Sequence, residues 1–283
     1  MTITSDMIKQ LREKTGAGMM DCKRALEAVN GDINAAIEHL RKKGAAVSQK
    51  RADRSAKEGV IITQVNAEGT RGVIVEINCE TDFVGKSDDF VGFGKAVAEV
   101  ISQHTPSSVD EILGLTTQKG KKVSDLMNDL LSKVSEKVEI RRFNVLDTKD
   151  GRISAYTHLG NKIGVLIELA GSSDSVQAGR DAAMQIAAMN PLVINRNEVD
   201  KATVDRELEI YRTQAKNEGK PEQVVEKIAS GKLEKYYQEV VLLEQTFIKD
   251  SGKTMKEYLT ESSASAPLQV RRFTRFHLGE ETK

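Results

Sequence analysis

The sequence predicts an α+β protein: an N-terminal three-helix module followed by two related α+β subdomains, with a helical hairpin inserted in the second. Three observations carry this. Apolar residues recur at helical spacing over residues 5 to 43. Two motifs occur twice: Gly72-Val73-Ile74-Val75-Glu76-Ile77 returns as Gly164-Val165-Leu166-Ile167-Glu168-Leu169, and Ile140-Arg141-Arg142-Phe143 returns as Val270-Arg271-Arg272-Phe273. The motifs start 68 residues apart in the first copy, from 72 to 140, and 106 apart in the second, from 164 to 270, so about 38 residues have been added to the second.

In the module, residues 1–44, Ile8 and Leu11 mark the first helix, Cys22, Ala25, Leu26 and Val29 the second, and Ile33, Ala36, Ile37 and Leu40 the third. Asn30-Gly31 ends the second helix, Asp32 is placed to N-cap the third, and Gly44, after Lys42 and Lys43, reads as its stop. The polar, mostly basic run 45–58, with Lys50, Arg51, Arg54 and Lys57, reads as a linker. Val60 to Val65 and Val73 to Cys79 alternate around a turn at Asn66–Thr70 and predict a hairpin opening the subdomain 59–147. Val73, Val75, Ile77 and Cys79 then share one face, and a helix starts near Ser87. The second subdomain, 148–283, repeats this plan. Its added stretch, about 199–245, carries one helical stripe of Val204, Leu208, Tyr211 and Ala215 and another of Val224, Ile228, Leu233, Tyr237 and Val240, across Gly219-Lys220-Pro221. This hairpin either packs on its own body or meets a second subunit or partner.

The 42 Lys and Arg balance the 42 Asp and Glu, so no global field draws the chain to nucleic acid or an anionic membrane. No apolar run is long enough to span a bilayer, and the N-terminus lacks signal-peptide features, which makes the cytoplasm the expected compartment. Cys22 and Cys79 match no metal or disulfide spacing and read as small buried hydrophobes. His39, His104, His158 and His277 are scattered without ligand spacing, and no Ser-His-Asp or Cys-His set can be drawn. Gly16-Ala17-Gly18 lacks the preceding strand and following Lys-Ser/Thr of a phosphate loop and reads as a tight inter-helix turn. Glu80, Asp82, Asp88 and Asp89 miss the calcium-loop spacing; Asp88 and Asp89 suit the positive end of the helix they begin. No catalytic residue, metal site or cofactor is expected. Arg141-Arg142 and Arg271-Arg272 invite an RNA reading, but alternate residues of a strand face opposite ways, so solvated edge positions are the expectation.

Two segments stand apart from ordinary packing. Met19 and Met20 sit side by side after a glycine-rich turn, where helical spacing buries at most one well, and exposed thioethers suit a partner surface. Phe83 lies in a loop among Glu80, Asp82, Asp88 and Asp89, where a ring is an interface anchor rather than a core residue. His158, in Tyr156-Thr157-His158-Leu159-Gly160, falls at the hairpin turn of the second copy.

The Thr15–Lys23 stretch, Asn78-Cys79-Glu80-Thr81-Asp82-Phe83-Val84, the Ile140-Arg141-Arg142 strand and Lys162-Ile163-Gly164-Val165-Leu166 resemble, in the same order and over nearly the whole chain, the bacterial translation elongation factor Ts family. The resemblance implies a ubiquitin-associated-like N-terminal module and guanine-nucleotide exchange, without covalent chemistry, on elongation factor Tu. The factor would bind Tu·GDP, disturb its magnesium and phosphate site, and release GDP so that GTP can bind. Arg12, Met19, Met20 and Lys23 would grip the GTPase domain. Asp82 and Phe83, with Val84 beside them, would form the loop that intrudes near the magnesium site, Phe83 wedging between partner helices. Val134 and His158 match partner-contacting positions. No direct nucleic-acid contact is implied, and the hairpin is the candidate surface for a homodimer or a 2:2 complex. The chain departs from the family pattern at Ser135, where glycine is common, and in lacking a C-terminal helical module after Glu280.

Overall fold

The computed structural model describes residues 2–171, 176–263 and 267–281; the expected outer domain limits at Met1 and Lys283 lie outside them. The module comprises α1 (Ser5–Thr15), α2 (Met19–Ala28) and α3 (Ile33–Lys50). The first copy of the repeat runs β1 (Glu58–Val65), β2 (Arg71–Cys79), α4 (Asp82–Gly85), α5 (Asp88–His104), α6 (Val109–Gly114), α7 (Val123–Lys133) and β3 (Val138–Asp147). The second runs β4 (Gly151–Thr157), β5 (Ile163–Ala170), α8 (Val176–Met189), the hairpin α9 (Lys201–Asn217) and α10 (Glu222–Val240), the short strands β6 (Thr246–Phe247) and β7 (Asp250–Thr254), α11 (Met255–Glu261) and β8 (Gln269–His277).

The module closes on Leu11, Ala17, Cys22, Ala25, Leu26, Ala36 and Leu40. Gly16 ends α1 at φ 71°, a left-handed conformation that glycine adopts without Cβ strain, and its N–H reaches the Arg12 carbonyl at 2.7 Å. Asp32 caps α3 as expected, its Oδ1 accepting from the N–H of Asn34 at 2.8 Å and of Ala35 at 3.0 Å. The stop expected at Gly44 is not one. α3 continues to Lys50, so the helix crosses the expected domain limit and takes up part of the expected linker. A Cβ at position 44 would lie 2.6 Å from the Leu131 carbonyl carbon, so this glycine serves the close approach of α3 to α7.

Each copy builds an antiparallel three-stranded sheet, ordered β1-β2-β3 and β4-β5-β8. One face of β2, including Val73, Val75, Ile77 and Cys79, packs on Phe90, Phe93, Val97 and Ile101 of α5. The opposite face is buried too, because the sheets meet through Ile61, Ile74, Leu146, Ile153, Leu166 and Phe276. The copies clasp each other reciprocally. The Ile61 N–H donates to the Asn161 carbonyl at 2.7 Å, and at the equivalent positions with the copies exchanged the Ile153 N–H donates to the Gly69 carbonyl at 2.7 Å. Gly72 faces Ile153 as Gly164 faces Ile61; a Cβ on either glycine would meet the facing Cγ2 at 2.6 and 2.5 Å.

The paired arginines lie on the edge strands β3 and β8 as expected, and Arg271 and Arg272 are exposed, but the two members of each pair do not face opposite ways. Register shifts fall between Glu76 and Ile77 and, equivalently, between Glu168 and Leu169, leaving Arg141 and Arg271 as extra residues opposite. Such a bulge sets two residues against one and cancels the alternation of faces. Both arginines of each pair therefore reach one buried glutamate: Arg141 Nη1 at 3.2 Å and Arg142 Nε at 2.6 Å from Glu76, Arg271 Nη1 at 3.2 Å and Arg272 Nε at 2.7 Å from Glu168. The helical hairpin forms where the extra residues were placed, and of its second stripe Tyr237 is buried and Ile228, Leu233 and Val240 are half-buried. Val224 is exposed, and Val225 and Ala229 are buried in its place. At its base Arg196 pairs with Glu234 and Glu244 and stacks on the Tyr237 ring at 4.2 Å.

Candidate partner-binding face

Beyond β2 the backbone turns at Glu80 and Thr81 and is tied to the segment entering β3. Glu136 Oε2 accepts from the N–H of Glu80 at 3.1 Å and of Thr81 at 3.0 Å, while its Oε1 accepts from the Thr81 hydroxyl at 2.6 Å. In return Glu80 accepts from the Lys137 N–H at 2.7 Å. Arg51, just past α3, reaches both Glu80 oxygens at 3.0 and 2.9 Å, and Arg54 reaches one at 3.2 Å. Burial works against the Glu80 charge, but the Lys137 N–H and the two guanidiniums outweigh it and hold the carboxyl below the usual range. The basic segment therefore grips the loop that follows β2.

Thr81 caps α4 by accepting from the Val84 N–H at 3.4 Å. Asp82 Oδ2 lies 2.6 Å from Lys86 Nζ, and that bond keeps the Asp82 carboxyl below its ordinary value. Phe83 is 84% exposed and Val84 turns inward against the subdomain core. The Cys79 thiol donates to the Thr81 carbonyl at 3.1 Å; burial, with the Glu136 charge second, pushes it up to about 12, so it is a protonated packing group.

Met19 and Met20 open α2 and are 59% and 58% exposed, so neither is well buried. Arg12 and Lys23 are exposed on the same module, Lys23 standing 3.8 Å from Glu27. The Gly16 turn sits on the Lys133 side chain, and Lys133 Nζ pairs with Asp89 at the start of α5. Val134, directly after α7, is half-buried against the first subdomain's core, as Val84 is. His158 is exposed at the β4–β5 turn, its Nδ1 3.0 Å from the Tyr156 hydroxyl. Leu159 beside it is 90% exposed, a residue that sequence reasoning passed over because one leucine in a turn carries no periodic signal. This turn borders the Phe83 loop: Asp82, Gly85 and Lys86 share a cavity of about 150 Å³ with Gly160, Asn161 and Lys162. A run of neighbours thus joins the Met19-Met20 turn, the end of α7, the start of α5, α4 and the His158-Leu159 turn.

Among the described residues no three His, Cys, Asp or Glu side chains gather as metal ligands, and no helix is long and apolar enough to cross a membrane. The face offers exposed apolar side chains set among paired charges, a composition suited to protein contact.

A family profile described as "Elongation factor TS" matches residues 80–280, and one described as "UBA-like domain" matches residues 4–45. The elongation factor Ts of Prosthecochloris aestuarii is 45% identical over 284 residues, covering 98% of this chain and 99% of that protein. That of Chloroherpeton thalassium is 45% identical over 286 residues, covering 99% of each. That of Clostridium perfringens is 43% identical over 283 residues, covering 98% of this chain and 93% of the relative. With an α+β architecture, a UBA-like module at its start and this identity over nearly its full length, the chain belongs to the elongation factor Ts family.

Proposed function

We propose that this chain is a guanine-nucleotide exchange factor that binds elongation factor Tu·GDP, disturbs its magnesium and phosphate site and releases GDP by protein contact alone. Family membership supports the role. The observation that carries the mechanism is Phe83, a ring 84% exposed at the tip of a capped and ion-paired loop, next to Asp82. An aromatic left in water on an anchored support contributes little to its own fold and is well placed to fill a pocket in another protein. Inserted beside a nucleotide site, Phe83 and Asp82 favour a conformation that holds GDP and Mg²⁺ weakly. By linkage the nucleotide weakens the partner equally, so GDP and GTP exchange by mass action. Arg12, Met19, Met20 and Lys23 on the module, with Val134 and the His158-Leu159 turn, supply the remaining contacts. Val84 acts from beneath, supporting Phe83 from the core.

The test follows release of fluorescent GDP from elongation factor Tu on addition of the chain. Phe83→Ala is expected to slow release about tenfold or more, the loss of one buried aromatic anchor, with the melting temperature unchanged within about 2 °C. Equal rates for variant and parent would remove the wedge.

A further inference from the structure

We propose that Glu136 is a positioning residue for Phe83: its carboxylate fixes the turn and the helix cap that aim the ring. The inference rests on the exchange reading above and names what makes the wedge stiff.

Three donors converge on this carboxylate, the N–H groups of Glu80 and Thr81 and the Thr81 hydroxyl. The two N–H bonds set the direction in which the chain leaves β2. The third does more. A hydroxyl has one proton and two lone pairs, so donating to Glu136 fixes the Thr81 rotor and leaves a lone pair for the Val84 N–H. α4 has four residues, too few to be helical on its own account, and so depends on that cap. Phe83, on α4, is 84% exposed and has little packing of its own to hold it.

These bonds are not needed to close the sheet. The β2–β3 ladder ends where Cys79 pairs with Val138, two residues short of Glu136. The carboxylate works past the last rung, on the loop that carries Phe83.

A double-mutant cycle separates positioning from general support. GDP release from elongation factor Tu and thermal unfolding are measured for the parent, Glu136→Gln, Phe83→Ala and the double variant. Glu136→Gln keeps the size but replaces one of the two acceptor oxygens by an NH2 donor, so the Glu80 and Thr81 N–H groups and the Thr81 hydroxyl can no longer all be accepted; it is expected to slow release by about tenfold on a well-anchored ring. In the Phe83→Ala background the same change is expected to alter release less than about twofold, since a residue acting through the ring has nothing left to aim. Equal slowing in both backgrounds overturns the proposal. A Phe83→Ala protein as fast as the parent removes the wedge role on which this inference rests, whereas a slow Phe83→Ala with additive Glu136→Gln removes only the positioning role. Should Glu136→Gln fail to fold, Thr81→Val takes its place. It deletes the hydroxyl with little change in volume, and additivity with Phe83→Ala then counts equally against the proposal.

Discussion

The two copies of the repeat share a core and differ in what they display. Each buries one glutamate under two arginines at a bulge, and each lends an arginine across the molecule: Arg142 Nη2 donates to the His277 carbonyl at 3.2 Å, and Arg272 Nη2 donates to the Asp147 carbonyl at 2.6 Å. Their β-hairpin turns hold the same inter-copy bond, at Gly69 and Asn161. Yet Asn66 spends its side chain closing its own turn, accepting from the N–H of Thr70 and Arg71, while the equivalent residue is the exposed His158 with Leu159 beside it. Between the central strand and the next helix, the first copy places residues 80–87, with Phe83 and α4; the second has residues 171–175 and no aromatic. The duplicated parts hold the molecule together, and the parts without a counterpart carry the candidate contacts.

Breaking the shared core should have the largest effect and the same effect in both copies. Glu76 is 0% and Glu168 4% exposed, and removing one partner of a buried ion pair leaves uncompensated charge, at a cost of about 3 kcal/mol or more. Glu76→Gln and Glu168→Gln are each expected to lower the urea unfolding free energy by about this amount, alike to within about 1 kcal/mol, with exchange per folded molecule retained. A large loss in one and none in the other would show that the correspondence is one of sequence only.

The duplication was legible because its motifs are chemically specific: a glutamate in an apolar strand and two adjacent arginines recur with it. What the arginines do was not, since the period-two rule assumes an unbroken ladder and the bulge lies between strands distant in sequence. Gly44 misled for a related reason. After two lysines it resembles a helix stop, but its role is set by Leu131, far along the chain. In α10 the apolar spacing points to Val224 and Tyr237 alike, whereas only Tyr237 is buried and Val225 and Ala229 stand where Val224 is expected. The exposure of Phe83, Met19 and Met20 could be read from local composition alone. The Glu136 clamp could not, because nothing near Glu136 in sequence points to residues 80 and 81.

The next effect concerns what only the first copy carries. The module rests on α7, and Gly44 allows that approach. Gly44→Ala forces α3 and α7 apart and should cost about 1–3 kcal/mol, the range for an overpacked contact. Thermal unfolding and GDP release should both suffer, because Met19 and Met20 shift relative to Phe83. No change in either would mean that the module moves freely on the first copy, and the run of neighbours described above would lose its meaning.

The smallest effect is a titration in the second copy's core. Burial works against the Glu168 charge, but hydrogen bonds and charge from its neighbours, Arg272 and Arg271 among them, outweigh it and hold the carboxyl below the usual glutamate value. A carboxyl lowered by folding adds stability that is complete above its unfolded value of about 4.3 and is lost as the pH falls through its folded value. The parent should therefore lose stability below about pH 5, and the part due to this group is at most about 1.4 kcal/mol per pH unit, one proton's worth. Urea unfolding between about pH 3 and 7 should show a shallower acid limb for Glu168→Gln than for the parent. Parallel limbs would mean that the arginines hold Glu168 no more tightly folded than unfolded, and the buried lock would then be an arrangement of shape rather than of charge.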